Sequence, residues 1–402
     1  MRNFVLSYYS DLIFPSSAAA TRQVVKTVDA LQTLGADARL YIPIPWKYYK
    51  MGSTARLHQL RRYYGLSDQF QVNEIISPLP MIGKIQRFPI TYRLLPHIDK
   101  TDGTVLCIRN YWHLKLALHR GMTVLYETYK YKSQPKRRCS ITDLLNTREQ
   151  FLGIVMHSQI ATDYWASEGA RPEKITTIHN GIDQNEIVDP ATIDRSRLRQ
   201  ELNLPKTRQI VSYVGNMGSK KGIGSIVEVA SHLPNVLFLL VGFSKKKDKS
   251  QLIALANKLG ADNIEIRPWV PPARVAPYLR ASDALIIPPT SQPLFATGDT
   301  VLPIKTFVYM ASGVPLLAPR LPDTAEILHH KKNAFLLQPD TPISNAQSIR
   351  QLLDQPQLRE QIAINALACA NKFTWNERAE KIVDFVQRQL LSNSETKKVT
   401  VP

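Results

Sequence analysis

Short apolar runs rich in β-branched residues alternate with segments of helical periodicity along most of the chain. In the first half, this pattern predicts a helix at residues 17–34 and strands at residues 3–8, 38–42, 104–108, 122–127, 153–157 and 174–179. In the second half, it predicts strands at residues 209–214, 236–241, 263–266, 284–287, 314–318 and 334–337, with helix-like segments between them. Because strands separated by helices pair in parallel, the sequence predicts an α/β protein with two doubly wound sheets.

A polar stretch at residues 185–203 separates the two series of strands, and we expect the linker between two domains to lie there. The predicted N-terminal domain therefore covers residues 1–187 and the predicted C-terminal domain residues 188–374. The last strong helical pattern runs over residues 375–391. We expect the polar tail at residues 392–402 to be disordered.

The composition is globular: 44% of the 402 residues are hydrophobic and 21% are charged. The longest run of aliphatic and aromatic residues, 236–241, is far shorter than the roughly 20 residues that cross a bilayer. The first residues turn polar at Ser7, before a signal-peptide core forms, so we expect a cytoplasmic protein. Three distant cysteines, Cys107, Cys139 and Cys369, give neither a disulfide framework nor zinc spacing.

Positive charge is concentrated in one part of the chain. Residues 39–138 carry 18 of the 51 basic side chains but only 5 of the 33 acidic ones, an excess of +13 out of the total of +18. Aromatic residues are interleaved with these cations at residues 46–51 and 61–64. The pattern suits contact with an anionic membrane surface, and a well-solvated basic face explains it equally. Nucleic acid would attract the same charge, but no nucleic-acid-binding motif accompanies it.

The loop that follows the predicted strand at 209–214 has the composition of a phosphate-binding loop. It places small residues at Gly215, Asn216 and Gly218 and two cations at Lys220 and Lys221, just before a helix. Small residues let backbone amides approach a phosphate, and the helix N-terminus adds positive potential. The glycine spacing matches neither the Walker loop nor the dinucleotide fingerprint. A glycine turn without a ligand explains the same residues.

A second candidate segment runs from Asp299 through Thr300 and Val301 to a helix that Pro303 opens in its first turn. Lys305 falls within that first turn, where the helix dipole disfavours a cation unless an anion is bound. A lysine that extends into solvent is the alternative explanation. The misplaced cation therefore marks this helix as a candidate anion site.

Several motifs together resemble one known family. The motifs are Tyr-Val-Gly at 213–215 with Lys-Gly at 221–222, Pro-Trp-Val at 268–270, Ala-Ser-Asp at 281–283 and the run at 303–315. Their order and spacing resemble those of the retaining GT-B glycosyltransferases of family 4, and the resemblance implies two Rossmann-like domains facing each other across a cleft. His-Asn-Gly-Ile-Asp at 179–183 resembles the signature that ends the first domain, and Phe-Thr-Trp at 373–375 the start of the last helix. The resemblance covers about residues 153–391 and implies that the helix at 375–391 packs back on the N-terminal domain.

The resemblance assigns roles to individual residues. Lys221 matches the lysine that contacts the donor diphosphate, and Lys305 the basic residue of members with a similar helix. Asn216 stands where an arginine commonly contacts phosphate, although Lys220 lies nearby in sequence. The same comparison places Gly215, Gly218, Val270, Asp299, Thr300 and Val301 around the donor.

One departure from the family concerns the nucleotide ribose. The family has two glutamates separated by seven residues, and the second binds the ribose hydroxyls. The matching positions here are Thr300 and Val308, and a valine side chain accepts no hydrogen bond. Asp299 is a candidate for a replacement carboxylate. The alternative is a non-catalytic homologue that acts as a binding or scaffold protein.

The implied reaction is transfer of a hexosyl unit from a nucleotide diphosphate sugar to an acceptor hydroxyl with retention, in polysaccharide or glycolipid biosynthesis. The family commonly works without a metal or other cofactor, so Lys221 and Lys305 would stabilise the departing diphosphate. Arg109 and Glu127 follow or end predicted strands and would orient the acceptor or the sugar, although Glu127 equally suits an ion pair. The expected partners are the donor, a sugar or lipid-linked acceptor and an anionic surface at the inner face of the cell membrane. An epimerase on the same scaffold is disfavoured because the second-domain loops offer few acidic or histidine residues.

Overall fold

The computed structural model describes residues 4–44, 48, 50–76, 98, 103–218, 221–293 and 302–399. The chain divides into two compact units. The first comprises Met1–Asn180 together with Trp375–Pro402, and the second is Gly181–Thr374.

The first unit is built on a parallel sheet of seven described strands in the order β3-β2-β1-β4-β5-β6-β7. The strands are β1 Val5–Tyr9, β2 Ala38–Ile44, β3 Asn73–Ile76, β4 Thr104–Ile108, β5 Thr123–Thr128, β6 Phe151–Met156 and β7 Ile175–Thr177. The helices that follow strands are α1 Ala19–Thr33, α2 Ser53–Tyr64, α3 Tyr111–His119, α4 Pro135–Thr147 and α5 Gln159–Ser167. Most strand residues are buried because helices cover both faces, which explains the nearly continuous apolar runs in the sequence.

The second unit repeats this architecture with six described strands in the order β10-β9-β8-β11-β12-β13. The strands are β8 Ile210–Val214, β9 Leu237–Phe243, β10 Ile264–Pro268, β11 Ala284–Ile286, β12 Leu316–Pro319 and β13 Phe335–Leu337. The helices are α6 Arg195–Glu201, α7 Gly224–Ser231, α8 Lys246–Leu259, α9 Val275–Arg280, α10 Ile304–Ala311, α11 Pro322–Ala325, α12 Pro342–Leu353 and α13 Pro356–Ala370. The chain then returns to the first unit with α14, Trp375–Val399. Two doubly wound parallel sheets confirm the predicted fold class.

The last helix belongs to the core of the first unit. Trp375, Ile382, Phe385 and Val386 of α14 are buried with side chains of the first sheet and of α1. The helix also continues to Val399, whereas the sequence predicts an end at residue 391 and a disordered tail from 392. The physical reason for the difference is that the polar residues of the last turns include good helix formers, which need no buried face to extend an existing helix.

The segment predicted as a linker is instead packed into the second unit. Arg199 on α6 is buried and donates to Asp283 Oδ2 at 2.6 Å and to the carbonyl oxygen of Ala281 at 3.0 Å. The amide of Val188 donates to the carbonyl oxygen of Ala311 at 3.2 Å. The two units therefore divide after Asn180, seven residues before the predicted boundary, because polarity in this segment serves internal ion pairing rather than solvation.

No described helix is both long and apolar enough to span a membrane.

One strand, β3, has no counterpart in the sequence prediction, because its four residues, Asn73–Ile76, are too few to show an apolar alternation.

Candidate functional site

The loop after β8 approaches helix α10 at a residue without a side chain. Gly215 has a φ of +153°, and its amide donates to the carbonyl oxygen of Val241 at 2.9 Å. A Cβ at Gly215 would lie 2.7 Å from Lys305 Nζ. The glycine thus leaves space for the ammonium group against the loop backbone. Gly242, near the end of the neighbouring strand β9, leaves space in the same way, since a Cβ there would lie 2.2 Å from the Gly215 carbonyl oxygen.

Lys305 occupies the first turn of α10, as the sequence predicts. The helix begins at Ile304, and its N-cap residue, Pro303, provides no side-chain hydrogen bond. The ammonium nitrogen lies 3.7 Å from the centre of the Tyr213 ring, a cation–π contact. Burial, together with the charge of Lys221, holds the pKa of Lys305 well below its usual value. Among the described residues, neither lysine forms an ion pair.

Hydrogen bonds fix the shape of the loop that presents Lys221. The Tyr213 hydroxyl donates to the carbonyl oxygen of Asn216 at 2.7 Å, and the Asn216 side-chain oxygen accepts from the Gly218 amide at 2.8 Å. The Lys221 amide donates to the Gly218 carbonyl oxygen at 2.9 Å, and the Lys221 side chain is exposed. The loop therefore turns tightly and holds an exposed cation beside the semi-buried Lys305.

A second loop, after β11, supports the first one. A Cβ at Gly222 would lie 2.4 Å from Thr290 Cγ2, so the two loops are in close contact there. Thr290 Oγ1 donates to Asp340 Oδ1 at 2.5 Å, and the Ser291 amide donates to Asp340 Oδ2 at 3.2 Å. Although burial acts to raise it, these bonds hold the pKa of Asp340 below its usual value. Asp340 is thus a carboxylate that fastens the loop leading towards α10.

The structure describes only some of the remaining residues that were predicted to bind the donor. Lys220, Asp299, Thr300 and Val301 lie outside the described residues. Val270 is partly buried and packs against the core of the second unit.

Val308 lies on the less buried side of α10. Residues Thr306, Phe307 and Tyr309 of this helix are buried, whereas Lys305 and Val308 are partly exposed. Positions 305 and 308 are three residues apart and therefore neighbours on the helix surface. Val308, which the family resemblance matches to a ribose-binding glutamate, thus shares a side of the helix with the lysine.

Glu127 belongs to a buried network in the first unit. Its Oε1 accepts from Gln23 Nε2 at 2.5 Å and lies 2.9 Å from His157 Nε2, and it also accepts from Arg378 Nη2. Burial acts to raise the pKa of Glu127, but Arg378, Arg109 and His157 hold it well below its usual range. Burial lowers the pKa of His157 to about 4, so its imidazole is neutral at neutral pH.

The same network provides hydrogen-bond acceptors for the guanidinium group of Arg378 on α14. Arg378 donates to Thr27 Oγ1 at 3.0 Å and to the carbonyl oxygens of Ile178 at 2.6 Å and His179 at 2.8 Å. Of the two interpretations open for Glu127, the structure supports the ion pair: its carboxylate ties α14 to β5. Arg109 is half-buried, and its Nη1 donates to the Ala20 carbonyl oxygen at 3.4 Å.

The structure adds residues that the sequence analysis did not select, Gly242, Thr290 and Asp340, and it gives Tyr213, quoted there only within a motif, a contact with Lys305. These residues shape the loops around the lysines, but each has an ordinary sequence signal of a buried strand or a turn. A glycine directly inside the end of a buried strand, as at Gly242, was the one usable hint. In the part of the chain that the structure describes, no group of three His, Cys, Asp or Glu side chains is arranged to hold a metal ion.

Known proteins resemble this chain in sequence and in fold. Residues 194–368 match the family model described as "Glycosyl transferases group 1". A D-inositol 3-phosphate glycosyltransferase from Xylanimonas cellulosilytica is 26% identical over 223 residues, which are 54% of this chain and 52% of the relative. The chain therefore spans about half the length of the curated relatives it matches.

Solved structures extend the likeness to nearly the whole fold. A crystal structure of the Anabaena protein HepE in complex with UDP and glucose has a TM-score of 0.70 at 17% identity, covering 96% of this chain and 100% of that one. The same protein has been crystallised with UDP-glucose. Sucrose-phosphate synthase from Thermosynechococcus elongatus has a TM-score of 0.77 at 15% identity, covering 97% and 100%. Two Rossmann-like domains with these neighbours define a GT-B fold.

Proposed function

We propose that this protein is a glycosyltransferase that moves a hexosyl unit from a nucleotide diphosphate sugar to an acceptor hydroxyl with retention at the anomeric carbon. The observation that carries the proposal is the pair of cations at the N-terminal end of α10. Lys305 has a pKa held well below its usual value by burial and by Lys221, and no described carboxylate pairs with either. A diphosphate is the kind of ligand that such an arrangement stabilises.

The lysines have a defined task in such a reaction. Cleavage of the bond between the sugar and the diphosphate leaves negative charge on the diphosphate oxygens, and positive groups fixed in advance lower the energy of that state. Lys305 is fixed by the Tyr213 ring and the space at Gly215, and Lys221 by the tight turn of its loop. Binding of an anion raises the pKa of Lys305, so the bound state favours the ammonium form.

The acceptor belongs to the same proposal. The basic N-terminal half suits an acceptor that is lipid-linked and presented at an anionic membrane surface, as in glycolipid or polysaccharide biosynthesis at the inner face of the cell membrane. A soluble sugar acceptor is the alternative. The proposed reaction needs no cofactor beside the donor.

Replacing either lysine tests the donor site. A panel of UDP-, GDP- and ADP-linked hexoses first identifies the donor, with nucleotide release as the readout. Lys221→Ala and Lys305→Ala should each lower turnover by about 10²-fold or more, the scale for loss of one transition-state charge contact. Wild-type affinity for the nucleoside diphosphate should also fall as pH rises through the lowered pKa of Lys305, because the protonated form is lost. The Lys305→Ala variant should lack this pH dependence.

The controls separate charge from folding. Lys258→Ala removes a lysine from the exposed end of α8 and should leave turnover and thermal denaturation unchanged. Retention is tested separately, by the anomeric configuration of the first product in its NMR spectrum. Wild-type turnover in both lysine variants would remove the proposed diphosphate site.

Val308 favours a second candidate, a non-catalytic homologue that binds the nucleotide sugar or acts as a scaffold. Its side chain offers no hydrogen bond to ribose at the position where similar proteins carry a glutamate. Titration of UDP-glucose by calorimetry, followed by a search for products by mass spectrometry, discriminates the two functions. Binding without any hydrolysis or transfer would support the second candidate.

A further inference from the structure

One exposed surface of the first unit combines aromatic rings with cations, and we call it the Trp112 surface: Tyr111, Trp112, Lys115, Lys136 and Arg137. Helix α3 begins at Tyr111 just after β4, and helix α4 begins with Pro135 after the neighbouring strand β5. The Tyr111 hydroxyl donates to Ser140 Oγ at 3.1 Å, which joins the first turn of α3 to the second turn of α4.

The side chains of this surface are directed to solvent. Trp112 is 49% exposed, although its backbone is fixed by a hydrogen bond from its amide to Asn110 Oδ1 at 2.9 Å. Lys115 Nζ and the Arg137 guanidinium carbon lie 5.8 and 5.6 Å from the centre of the Tyr111 ring. Lys115, Lys136 and Arg137 are exposed. The exposed indole thus lies 5.1 Å, between ring centres, from the tyrosine ring that Lys115 and Arg137 flank.

Acidic residues are nearly absent from the segment that forms this surface. Residues 109–142 contain eight Lys and Arg and one acidic residue, Glu127. Glu127 is buried and accepts a hydrogen bond from Arg378, so its charge is compensated inside the unit. Of the cations, Arg138 is buried and engaged with Glu168 at 2.9 Å and with the Tyr131 carbonyl oxygen at 2.6 Å. The exposed charge of the segment is therefore entirely positive.

The basic residues on α2 are differently placed. Arg56 donates to Glu74 Oε1 at 2.8 Å and to the carbonyl oxygen of Tyr48 at 3.1 Å. Arg61 donates to the carbonyl oxygen of Phe70 at 2.9 Å. These two guanidinium groups are bound within the first unit, whereas Arg62 of the same helix is exposed.

We propose that the Trp112 surface docks this protein on an anionic lipid bilayer. An exposed indole in a segment with exposed lysine and arginine side chains matches the chemistry of the headgroup layer, where Trp rings partition and cations contact anionic lipids. Only the purpose of this docking rests on the proposed function: it would bring a lipid-linked acceptor to the enzyme. It requires neither the donor nor the two lysines of the second unit.

The test measures binding of the full chain to vesicles in the absence of any nucleotide sugar. Wild-type protein should co-sediment with vesicles of phosphatidylcholine and phosphatidylglycerol but not with phosphatidylcholine alone, and binding should be lost as salt rises from about 0.1 M to about 0.5 M. Lys115→Ala, Lys136→Ala and Arg137→Ala combined should weaken the partition coefficient by about 10²-fold, because each cation near an anionic surface contributes a factor of several.

A matched control removes the same charge elsewhere. Lys245, Lys246 and Lys247 are exposed around the start of α8 in the second unit, and their triple alanine variant should bind nearly as well as wild type. Trp112 is followed by its fluorescence: lipids with brominated acyl chains should quench part of the wild-type emission. That quenching should vanish in Trp112→Phe.

Three results would overturn the proposal. They are equal loss of binding in the two triple variants, unchanged quenching in Trp112→Phe, and binding to single-stranded RNA but not to anionic vesicles. Urea denaturation of each variant shows that it is folded. Donor binding is measured separately, with the Lys221 and Lys305 variants. Absence of binding to vesicles would therefore not contradict the proposed reaction, and loss of donor binding would not contradict the docking.

Discussion

At Gly215 the absence of a side chain determines where a cation can lie. Any Cβ there would lie 2.7 Å from the Lys305 ammonium nitrogen, so the end of the lysine side chain would have to shift from its present place against the Tyr213 ring. Sequence alone identified both residues, because Lys305 opposes the helix dipole and Gly215 follows a buried strand. It could not show that one residue makes room for the other, since that depends on the register between the loop and α10.

Val308 offers a direct test of how ribose is bound. It is partly exposed on the same side of α10 as Lys305, and its side chain also packs against the core of the second unit. If ribose binds at this position, Val308→Glu adds a charged hydrogen bond and should tighten nucleoside diphosphate binding by about 1.5 to 3 kcal/mol. Isothermal titration calorimetry with UDP measures the change.

Val308→Met is the matched control for this substitution, because it adds similar length without an acceptor, and it should leave the affinity unchanged. Weaker or unchanged binding in Val308→Glu, with an unchanged denaturation midpoint, would show that ribose is held elsewhere.

At the scale of elements, the sequence predicts where strands lie but not which distant side chains pair with their residues. The apolar runs located β4 at the residues the structure gives, because buried parallel strands carry a continuous signal. Glu127 at the end of β5 was left with two interpretations, since its partner Arg378 is 251 positions away along the chain. Likewise, the polar segment containing α6 resembled a linker because its ion pair with Asp283 is invisible in a local pattern.

Gly153 in β6 determines how α14 packs on the first sheet. A Cβ at this position would lie 2.5 Å from the Lys174 carbonyl oxygen and 2.7 Å from Phe385 Cζ. Gly153→Ala should therefore destabilise the protein by about 1 to 3 kcal/mol, since strand backbone and a buried ring must both shift. Urea denaturation followed by circular dichroism measures this loss.

The control is Gly52→Ala, at a position with no atom within 4 Å of the added Cβ and no positive φ. It should change stability by less than about 0.5 kcal/mol. Equal stability of the two variants would mean that α14 shifts away from β6 without cost.

At the scale of the whole molecule, the chain leaves the first unit after Asn180 and returns to it at Trp375. Each unit has its own parallel sheet and buried core, but only the second is continuous in sequence. The sequence predicted two sheets because each half repeats the same alternation. The position of the boundary was misread because polarity does not distinguish a solvated linker from a buried ion pair.

This connectivity predicts different behaviour for the two fragments. Residues 181–374 expressed alone should unfold cooperatively and bind the nucleoside diphosphate through Lys221 and Lys305. Residues 1–180 alone should not fold. Without α14 they lose the buried side chains of Trp375, Ile382 and Phe385, each of which contributes about 1.5 to 3 kcal/mol.

The same fragment also leaves Glu127 buried without Arg378, which costs about 3 to 5 kcal/mol. Together these losses, about 8 to 14 kcal/mol, are comparable to the roughly 5 to 15 kcal/mol that stabilises a typical domain. Circular dichroism and amide NMR dispersion report folding, and adding a peptide of residues 375–399 should restore both signals. A peptide with Arg378→Met should restore them less well, because it supplies the apolar face but not the partner of Glu127. A cooperatively folded 1–180 fragment would show that α14 is an accessory to the first sheet rather than part of its core.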